Sequence, residues 1–353
     1  MNRQIRNPEK ADRHSGMEAL RMLAGMAVIV LHFNYLPGGR GAMEGASGLN
    51  AVLLTLLETL CICAVNVFVL ISGFFGCKAE KVRTGKLAVL LLQTVVFSVA
   101  VCLVSGLMDR SLQLRSLAAA VLPVNYYVIL YLVLMLLSPF LNRLITILSP
   151  KAFTRLILML FLLFSVYATG VDVLKEVTGA PFAGLSSVGM DGSMNGYSIV
   201  HFVMLYLLGA WLRQDAVRAA VRRGAAAAAV PVLMALIFLW SRFLPATAWN
   251  YSNPLIVLES AALLLLFASA KKQRPWVNRI APASFTCYLM HEAVLSRLDL
   301  PAIGAQPTLL LAGVLLVAVP GIYALAFAVM TLWNAAVRPL EKVLRARLPE
   351  ISA

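Results

Sequence analysis

Arg21 and His32 lie on one long apolar stretch, MEALRMLAGMAVIVLHF, with ten residues between them. On an α-helix the steps from one to the other rise about 16 Å and make about three turns, so both side chains lie on nearly the same face. An ionisable residue deep in a bilayer is costly and marks a candidate functional site. A histidine there can serve as a general base, and an arginine at the membrane edge can bind an anionic group.

The neighbours on this predicted helix extend the same face. Glu18 precedes Arg21 by three residues, and Gly25 and Val28 lie between Arg21 and His32. The face predicts a narrow channel for a thin, extended substrate, with His32 and Glu18 as catalytic candidates. In the alternative interpretation Gly25 only allows close helix packing, Glu18 and Arg21 form an interfacial ion pair, and His32 hydrogen-bonds a neighbouring helix.

Composition identifies the class of protein. The 353 residues are 61% hydrophobic and only 13% charged, with a mean hydropathy of +0.84, whereas a soluble protein carries about twice that charged fraction. We expect an all-α polytopic membrane protein with one integral-membrane domain over 1–353, including a cytoplasmic arm at 1–16 and a short cytoplasmic tail at 339–353. The net charge of +14 resides in short loops without interleaved aromatic residues, which argues against nucleic acid as a partner.

Ten apolar segments are long enough to be predicted as membrane spans. The ninth is the least hydrophobic of them. A polar stretch at about 171–196 is predicted to be a loop. The ten segments lie at about 17–36, 51–76, 86–108, 122–145, 154–170, 197–213, 225–244, 254–270, 281–297 and 308–334.

The loop charges test this count. With ten spans, 24 of the 30 basic residues fall on the side of the N-terminus. Basic residues in short loops mark the cytoplasmic side, so both termini are expected to be cytoplasmic. A missed helix would invert every later loop and erase the asymmetry.

The second span, which contains NVFVLISGFFGCK, offers a group of candidate donor-binding residues at its cytoplasmic end. Asn66 lies inside the span, Ser72 lies near its end, and Gly73 allows close approach of another backbone. Four cations follow within about two turns' worth of sequence: Lys78, Lys81, Arg83 and Lys86. They are expected either to hold phosphate groups or simply to enforce topology.

The remaining candidates lie in the fourth and ninth spans. Tyr131 is predicted to line a site, and Tyr288 and His291 lie in the ninth span, where His291 is at a depth similar to that of His32. A zinc site needs a further ligand at that depth. Glu58 and Glu259 cannot be placed beside the histidines from the sequence, so no metal site and no permanently bound cofactor are predicted. The five cysteines lie in or beside apolar segments and do not indicate a disulfide framework.

Several stretches in order resemble the acyltransferase-3 family of integral-membrane acyltransferases. Each motif is degenerate alone, but the ordered set runs from about residue 15 to residue 340. The matching stretches are LRMLAGMAVIVLHF, FVLISGFF, YYVILYLVLMLLSPFLNRLI, LYLLGAWLR and SFTCYLMHEAVL.

The resemblance implies an enzyme that moves a short acyl group, most simply acetyl, from cytoplasmic acyl-CoA to a hydroxyl of a bacterial surface polysaccharide or glycolipid. His32 would be the catalytic base and Arg21 would help bind the donor. Among the residues after the second span, Ser72, Lys78, Arg83 and Lys86 are the candidate donor contacts, although this loop departs from the longer basic pattern of many members. Asn66, Tyr131, Tyr288 and His291 would position the acceptor or stabilise the oxyanion.

Many members of this family carry a fused extracytoplasmic esterase-like domain. This chain ends about 18 residues after its last predicted span, so we expect it to act alone or with a separate extracytoplasmic partner protein. The expected location is the bacterial inner membrane, among its lipids. The competing function is a transporter or flippase of a glycan or lipid-linked substrate, which uses deep ionisable residues equally well. Against it, the sequence has no internal repeat.

Overall fold

The protein is helical through nearly all of the chain that can be described. The structure is a computed structural model and describes residues 14–122, 125–179 and 196–353. Residues 1–13 of the predicted arm and residues 180–195 of the predicted loop lie outside the described residues. The all-α class is confirmed, since the described part contains only one short pair of strands.

The first eight helices lead up to the polar loop. A 3-10 turn at Ala42–Glu44 follows the first of them, and a π-helical segment, Leu162–Tyr167, joins the last two. These helices are α1 (Ser15–Asn34), α2 (Gly48–Cys61), α3 (Ala64–Gly76), α4 (Thr84–Met108), α5 (Leu114–Val121), α6 (Tyr126–Ile147), α7 (Pro150–Phe161) and α8 (Ala168–Thr178).

In the described part of the chain, nine helices follow the loop. Strand β1 (Lys81–Arg83) pairs antiparallel with strand β2 (Glu350–Ser352), which joins the end of the chain to the segment before α4. The later helices are α9 (Ile199–Leu212), α10 (Asp215–Ala220), α11 (Arg223–Phe243), α12 (Pro245–Ala248), α13 (Pro254–Ala268), α14 (Pro275–Ile280), α15 (Ala283–Leu295), α16 (Leu300–Gly304) and α17 (Thr308–Arg347).

Within the described residues, every predicted span coincides largely with helix. Within the described ranges, seven helical stretches are long and apolar enough to cross a bilayer, while α9 and α13 are apolar but shorter. With 14, 15 and 13 residues, α9, α13 and α15 rise only about 20 Å each, less than a bilayer core of about 30 Å. The membrane class is therefore confirmed, whereas ten spans and cytoplasmic ends stay predictions.

The second predicted span, 51–76, agrees with one apolar stretch, Gly48–Gly76. A turn at Ile62 and Cys63 divides it into α2 and α3; α2 packs on α1 and α11, whereas α3 packs on α9 and α13. One predicted boundary was wrong. The predicted loop after residue 170 begins as helix, since α8 runs on to Thr178 and ends at Gly179 in the left-handed conformation. The carboxylate of Glu176 accepts hydrogen bonds from the backbone N–H groups of Ala246 and Thr247 at the start of α12. The end of α8 is therefore hydrogen-bonded to the rest of the fold.

The segment predicted as a short tail, 339–353, has regular structure. Its first residues continue α17 to Arg347, and its last form β2. In the strand pair Val82 lies opposite Ile351, and Glu350 forms ion pairs with Lys81 and Arg83.

The core has two adjoining parts, one around α3, α9 and α13 and one between α1, α15 and α17. The contact of α3 with α9 depends on two glycines. A Cβ on Gly73 would lie 1.9 Å from the Tyr206 carbonyl oxygen, and one on Gly209 would lie 2.2 Å from the Leu70 carbonyl oxygen. The predicted close backbone approach at Gly73 is confirmed, and small residues of this kind let membrane helices pack tightly.

Gly73→Ala is predicted to destabilise the protein by about 1–3 kcal/mol, since the added methyl group meets fixed backbone. The measurement is the loss of monodisperse purified protein on heating. Gly313→Ala is the control, because nothing lies within 4 Å of a Cβ at Gly313. Equal thermal stability of the Gly73 variant and the control would show that α3 and α9 do not pack this closely.

Candidate active site

Helix α1 holds both Arg21 and His32. It is continuous from Ser15 to Asn34, so the predicted rise from Arg21 to His32 holds. The Arg21 guanidinium donates to both carboxylate oxygens of Glu18, at 2.7 and 2.8 Å. Glu18 is buried, so this pair neutralises a charge that would be costly alone.

The ring of His32 is fixed at both nitrogens. Its Nδ1 lies 3.0 Å from the Val28 carbonyl oxygen, a contact that only a protonated Nδ1 makes favourable. Nε2 is therefore the nitrogen that can act as a base, and it lies 3.1 Å from Oε1 of Glu292. The two side chains share a proton at this contact, because neither an unprotonated nitrogen nor a carboxylate oxygen can donate.

His291 lies directly against His32. The two ring centroids are 4.6 Å apart and the planes nearly perpendicular, which confirms that the histidines lie at a similar depth. Nδ1 of His291 lies 3.0 Å from the Cys287 carbonyl oxygen and 2.9 Å from that of Tyr288. Its Nε2 is buried and has no hydrogen-bond partner among the described residues.

A cavity of about 260 Å³ lies along α1 from Arg21 to Val28, and among the described residues that line it there is neither His32 nor His291. It includes Val28, one turn before His32, and Tyr288, three residues before His291. Three predicted residues, Ser72, Tyr131 and Tyr288, line this cavity together with Arg21. The full lining is Arg21, Val28, Val65, Phe68, Ser72, Leu90, Tyr127, Val128, Tyr131, Pro282, Ser284, Phe285 and Tyr288.

Gly25 does not line the cavity. A Cβ at Gly25 would lie 3.0 Å from Oγ of Ser284 and 3.0 Å from the Tyr323 ring. Ser284 also donates to the Arg21 carbonyl oxygen at 3.0 Å. Gly25 therefore brings α15 close to α1, and only Val28 of the two expected residues faces the channel.

Three tyrosines form the wall of the cavity opposite α1. Tyr127 stacks on Tyr131 with 6.0 Å between ring centroids and lies 5.1 Å from Tyr288. The Tyr288 hydroxyl donates to Oδ1 of Asn125 at 2.7 Å. The Ser72 hydroxyl lies 3.4 Å from that of Tyr131. The wall is thus aromatic with a few hydroxyl groups, a surface suited to a mainly apolar chain with polar links.

Asn66 lies elsewhere and is used by the fold. It is completely buried, donates to the Tyr251 carbonyl oxygen at 2.9 Å, and places its Oδ1 3.1 Å from Nε2 of His201. His201 is itself only 3% exposed. With both ends of its amide engaged, Asn66 has a structural role in place of the predicted contact with substrate.

The predicted cations after α3 lie outside the central cavity. Arg83 is paired with Glu350 at 3.3 Å, and Lys86 lies in the first turn of α4, one turn before the cavity residue Leu90. Lys78 lines a second, wider cavity of about 760 Å³. Its basic residues are Lys78, Lys81, Arg143, Arg213 and Arg218.

Beyond His291, the end of α15 is tied to the end of α4 by an ion pair. The Arg297 guanidinium donates to both oxygens of Asp109, at 2.6 and 3.1 Å. These bonds to the charged form hold the pKa of the Asp109 carboxyl below its ordinary value. The pair is exposed, so it adds little stability but fixes the register of the two helix ends.

Sequence reasoning missed Glu292 and Tyr127. Glu292 directly follows His291 in LMHEAVL, and a carboxylate beside a deep histidine was the available signal. Tyr127 is 8% exposed and lines the cavity.

Comparison with known families decides the class of enzyme. The family profile described as an acyltransferase domain, Acyl_transf_3, matches residues 14–332, a range that holds α1, the central cavity and the histidine pair. The chain belongs to the acyltransferase-3 family. Seven helical stretches in the described part of this acyltransferase are apolar and long enough to span a membrane. The family assignment favours an enzyme over the transporter alternative. No match was found among the curated proteins or among the solved structures.

Asn66→Ala is predicted to lower stability without changing the Michaelis constants of this acyltransferase. The change leaves the His201 ring and the Tyr251 carbonyl without a buried partner, at a cost of about 1–3 kcal/mol. His201→Ala should cost a similar amount, and the double variant should cost less than the sum of the two, since both break one contact. A stable Asn66→Ala protein with a raised Michaelis constant for the acceptor would instead restore its role in substrate binding.

Proposed function

We propose that this acyltransferase moves a short acyl group, most simply acetyl, from acyl-CoA to a hydroxyl of a cell-surface polysaccharide or glycolipid. The donor would bind from the cytoplasmic side at the Arg21 end of the cavity. The acceptor would meet the thioester near His32, in the opposite half of a bacterial inner membrane. A transfer of this kind needs one channel that joins the two sides, and the Arg21–Val28–Tyr288 cavity is our candidate.

The donor end offers basic groups to acyl-CoA, and the guanidinium of Arg21 would be shared between Glu18 and the donor phosphates. The phosphates of coenzyme A are anionic and would pair with guanidinium and ammonium groups. Arg21 lines the cavity directly, while Lys86 lies one turn before the cavity residue Leu90. Arg83 and Lys78 are secondary candidates at the same end, with Ser72 as a hydroxyl along the wall.

The pantetheine arm would follow α1 toward His32. It is a thin chain with amide links, and it fits a channel with aromatic walls and a few hydroxyl groups. The rise of about 16 Å from Arg21 to His32 would separate the bound phosphates from the thioester. We propose Tyr131 and Tyr288 as the residues that guide this arm and the incoming acceptor.

His32 would act as the general base through Nε2. As the acceptor oxygen attacks the thioester carbonyl, its proton passes to Nε2 and a C–O bond forms. The C–S bond then breaks, and the proton returns to the departing thiolate to give the free thiol of coenzyme A. The transfer needs no outside proton and no redox partner.

Glu292 occupies the position that the acceptor hydroxyl needs, 3.1 Å from Nε2. Its side chain is 53% exposed, against 27% for His32, so it is the partner free to move. We propose that the acceptor displaces Glu292 from Nε2 and that the proton shared at this contact leaves to solvent from the exposed Glu292 carboxyl group. Nε2 is then free to accept the acceptor's proton, and the Glu292 carboxylate stabilises the imidazolium that forms. Glu292 thereby replaces Glu18 as the proposed acidic partner, since Glu18 is engaged with Arg21.

His291 would orient the acceptor. Its Nδ1 already donates to backbone, so a neutral His291 offers only a hydrogen-bond acceptor at Nε2. It can hold a sugar hydroxyl through that hydroxyl's proton, but it cannot donate to an oxyanion in this state. The contact of the His32 and His291 rings, beside a cavity that begins at Arg21, is the observation that carries the proposal.

His32→Gln is predicted to lower kcat for acyl transfer by about 10²–10⁴-fold, the range that a general base contributes. Transfer of radiolabelled acetyl from acetyl-CoA to cell-envelope glycan is the measurement. His14→Asn is the matched control, because it changes a histidine of the same helix and preserves the helix cap. Transfer at the wild-type rate by well-folded His32→Gln protein would contradict the mechanism.

Glu292→Gln should lower kcat less than His32→Gln does, because it removes the charge that stabilises the imidazolium but leaves the base. It should leave the Michaelis constant for acetyl-CoA unchanged, since Glu292 lies away from the donor end. Initial rates at varied donor concentration distinguish the two constants. A raised donor Michaelis constant with normal kcat would remove Glu292 from the chemistry.

Arg21→Gln is predicted to raise the Michaelis constant for acetyl-CoA by about tenfold, the effect of losing a charge-assisted hydrogen bond. Glutamine still reaches Glu18 and limits the structural damage. Arg297→Gln, at the other end of the bundle, is the control. Glu350→Gln should lower this constant, because it releases Arg83 and Lys81 for the donor phosphates. Unchanged donor affinity in Arg21→Gln protein would move the donor site elsewhere.

The acceptor class has its own test. Mass spectrometry of surface polysaccharides and glycolipids, from cells with and without the protein, should show an acyl group that depends on it. The group's mass distinguishes acetyl from succinyl. A separate extracytoplasmic partner protein would be revealed if purified enzyme hydrolyses acyl-CoA but transfers to glycan only in membranes.

A further inference from the structure

Three metal-ligating groups converge at the centre of the proposed site. One ligand atom each from His32, His291 and Glu292 lies within 4.8 Å of the other two. The closest pair, Nε2 of His32 and Oε1 of Glu292, is 3.1 Å apart, close to the ligand separation around a tetrahedral zinc ion.

Both histidines are oriented as metal ligands are. Each directs Nδ1 to a backbone carbonyl oxygen of its own helix, Val28 for His32 and Cys287 and Tyr288 for His291, which leaves Nε2 as the nitrogen able to bind an ion. This outer hydrogen bond fixes the tautomer whose Nε2 lone pair is free, and it is the usual partner of a metal-bound histidine.

The buried Nε2 of His291 gives a second, independent observation. His291 is 1% exposed, and this nitrogen has no hydrogen-bond partner among the described residues. The His291 ring packs against the His32 ring, and a ligand atom of His291 lies within 4.8 Å of those of His32 and Glu292, so an ion bound by these groups would satisfy the unpartnered nitrogen. A proton can bridge only His32 and Glu292, whereas a cation can satisfy all three groups.

We propose that His32, His291 and Glu292 form a reversible site for a divalent transition-metal ion such as Zn²⁺, and that the bound ion inhibits acyl transfer. Two imidazoles and one carboxylate select Zn²⁺ over Mg²⁺ and Ca²⁺, which prefer oxygen ligands. The ion would enter past Glu292, the most exposed of the three. The fourth position of the tetrahedron stays open to water.

A bound ion would inhibit transfer because it would occupy the Nε2 lone pair of His32. Nε2 of His32 is the proposed general base, and a nitrogen bonded to a metal cannot accept the proton of an acceptor hydroxyl. The inhibitory part thus rests on the proposed function, whereas metal binding rests on geometry alone. The two parts therefore need separate measurements.

Metal binding is tested with Co²⁺, a coloured stand-in for Zn²⁺. Purified full-length protein in detergent should bind one equivalent and show the intense visible absorption of a tetrahedral ion. Zn²⁺ should displace it, and X-ray absorption of the zinc-loaded wild type should show two imidazoles in the coordination shell. The absorption should persist in His14→Asn protein and disappear in His291→Ala and Glu292→Gln proteins of normal elution volume. Absence of the spectrum in wild type, or its survival in His291→Ala, would overturn the proposal.

Inhibition is tested on the same wild-type protein. Zn²⁺ should lower transfer from acetyl-CoA at least tenfold, equal Mg²⁺ should have no effect, and a chelator should restore the rate. Zn²⁺ that binds and raises the rate would refute inhibition while leaving the site in place. Tetrahedral binding by a protein that transfers no acyl group would support the site and count only against the proposed function.

Discussion

Polar side chains that lie deep among apolar helices must find partners there, and this constraint organises the structure. The carboxylate of Glu18 pairs with Arg21, the Asn66 amide with His201 and Tyr251, and Glu58 with the Asn34 amide at 2.8 Å. Nδ1 of His201 and Oδ1 of Asn34 stay without a hydrogen-bond partner among the described residues, as Nε2 of His291 does. The group of His32, Glu292 and His291 differs, because it adds an exposed carboxylate to the unsatisfied buried nitrogen. An incomplete group of this kind is where substrate can bind, since a ligand completes it.

The geometry of α1 converts this local chemistry into transfer across the bundle. One straight helix fixes the separation of Arg21 and His32, and Gly25 lets α15 lie close enough to bring His291 against His32. The tyrosines of α6 and α15 supply the opposite wall of the channel. The ion pair of Asp109 with Arg297 then fixes the end of α15. Helix packing thus sets the positions of the reacting groups, and the same positions bring together the ligands of a metal ion.

Much of this arrangement could be predicted from the sequence, because membrane helices are long, apolar and regularly spaced. All ten predicted segments are helical, and Arg21, Ser72, Tyr131 and Tyr288 line one cavity as expected. The prediction failed where tertiary contacts decide. No local sequence pattern indicates that Asn66 bonds Tyr251 in the loop before α13, that a turn at Cys63 separates α2 from α3, or that Arg83 pairs with Glu350 of the last strand. Glu292 was missed for another reason: adjacent residues on a helix point about 100° apart, so its approach to His32 depends on how α1 and α15 pack.

The central claim is that the donor lies along α1 with its phosphates at Arg21 and its thioester at His32. The most direct measurement is an electron cryo-microscopy structure of the protein with a non-hydrolysable thioether analogue of acetyl-CoA. Phosphate density is expected beside Arg21, with the pantetheine arm between Val28 and the tyrosines. The acyl carbon is expected close enough to His32 for one acceptor oxygen to lie between the two. Near-attack geometry would then place that oxygen about 3–3.5 Å from the acyl carbon. An analogue bound with its acyl group remote from His32, or outside this cavity, would contradict the account.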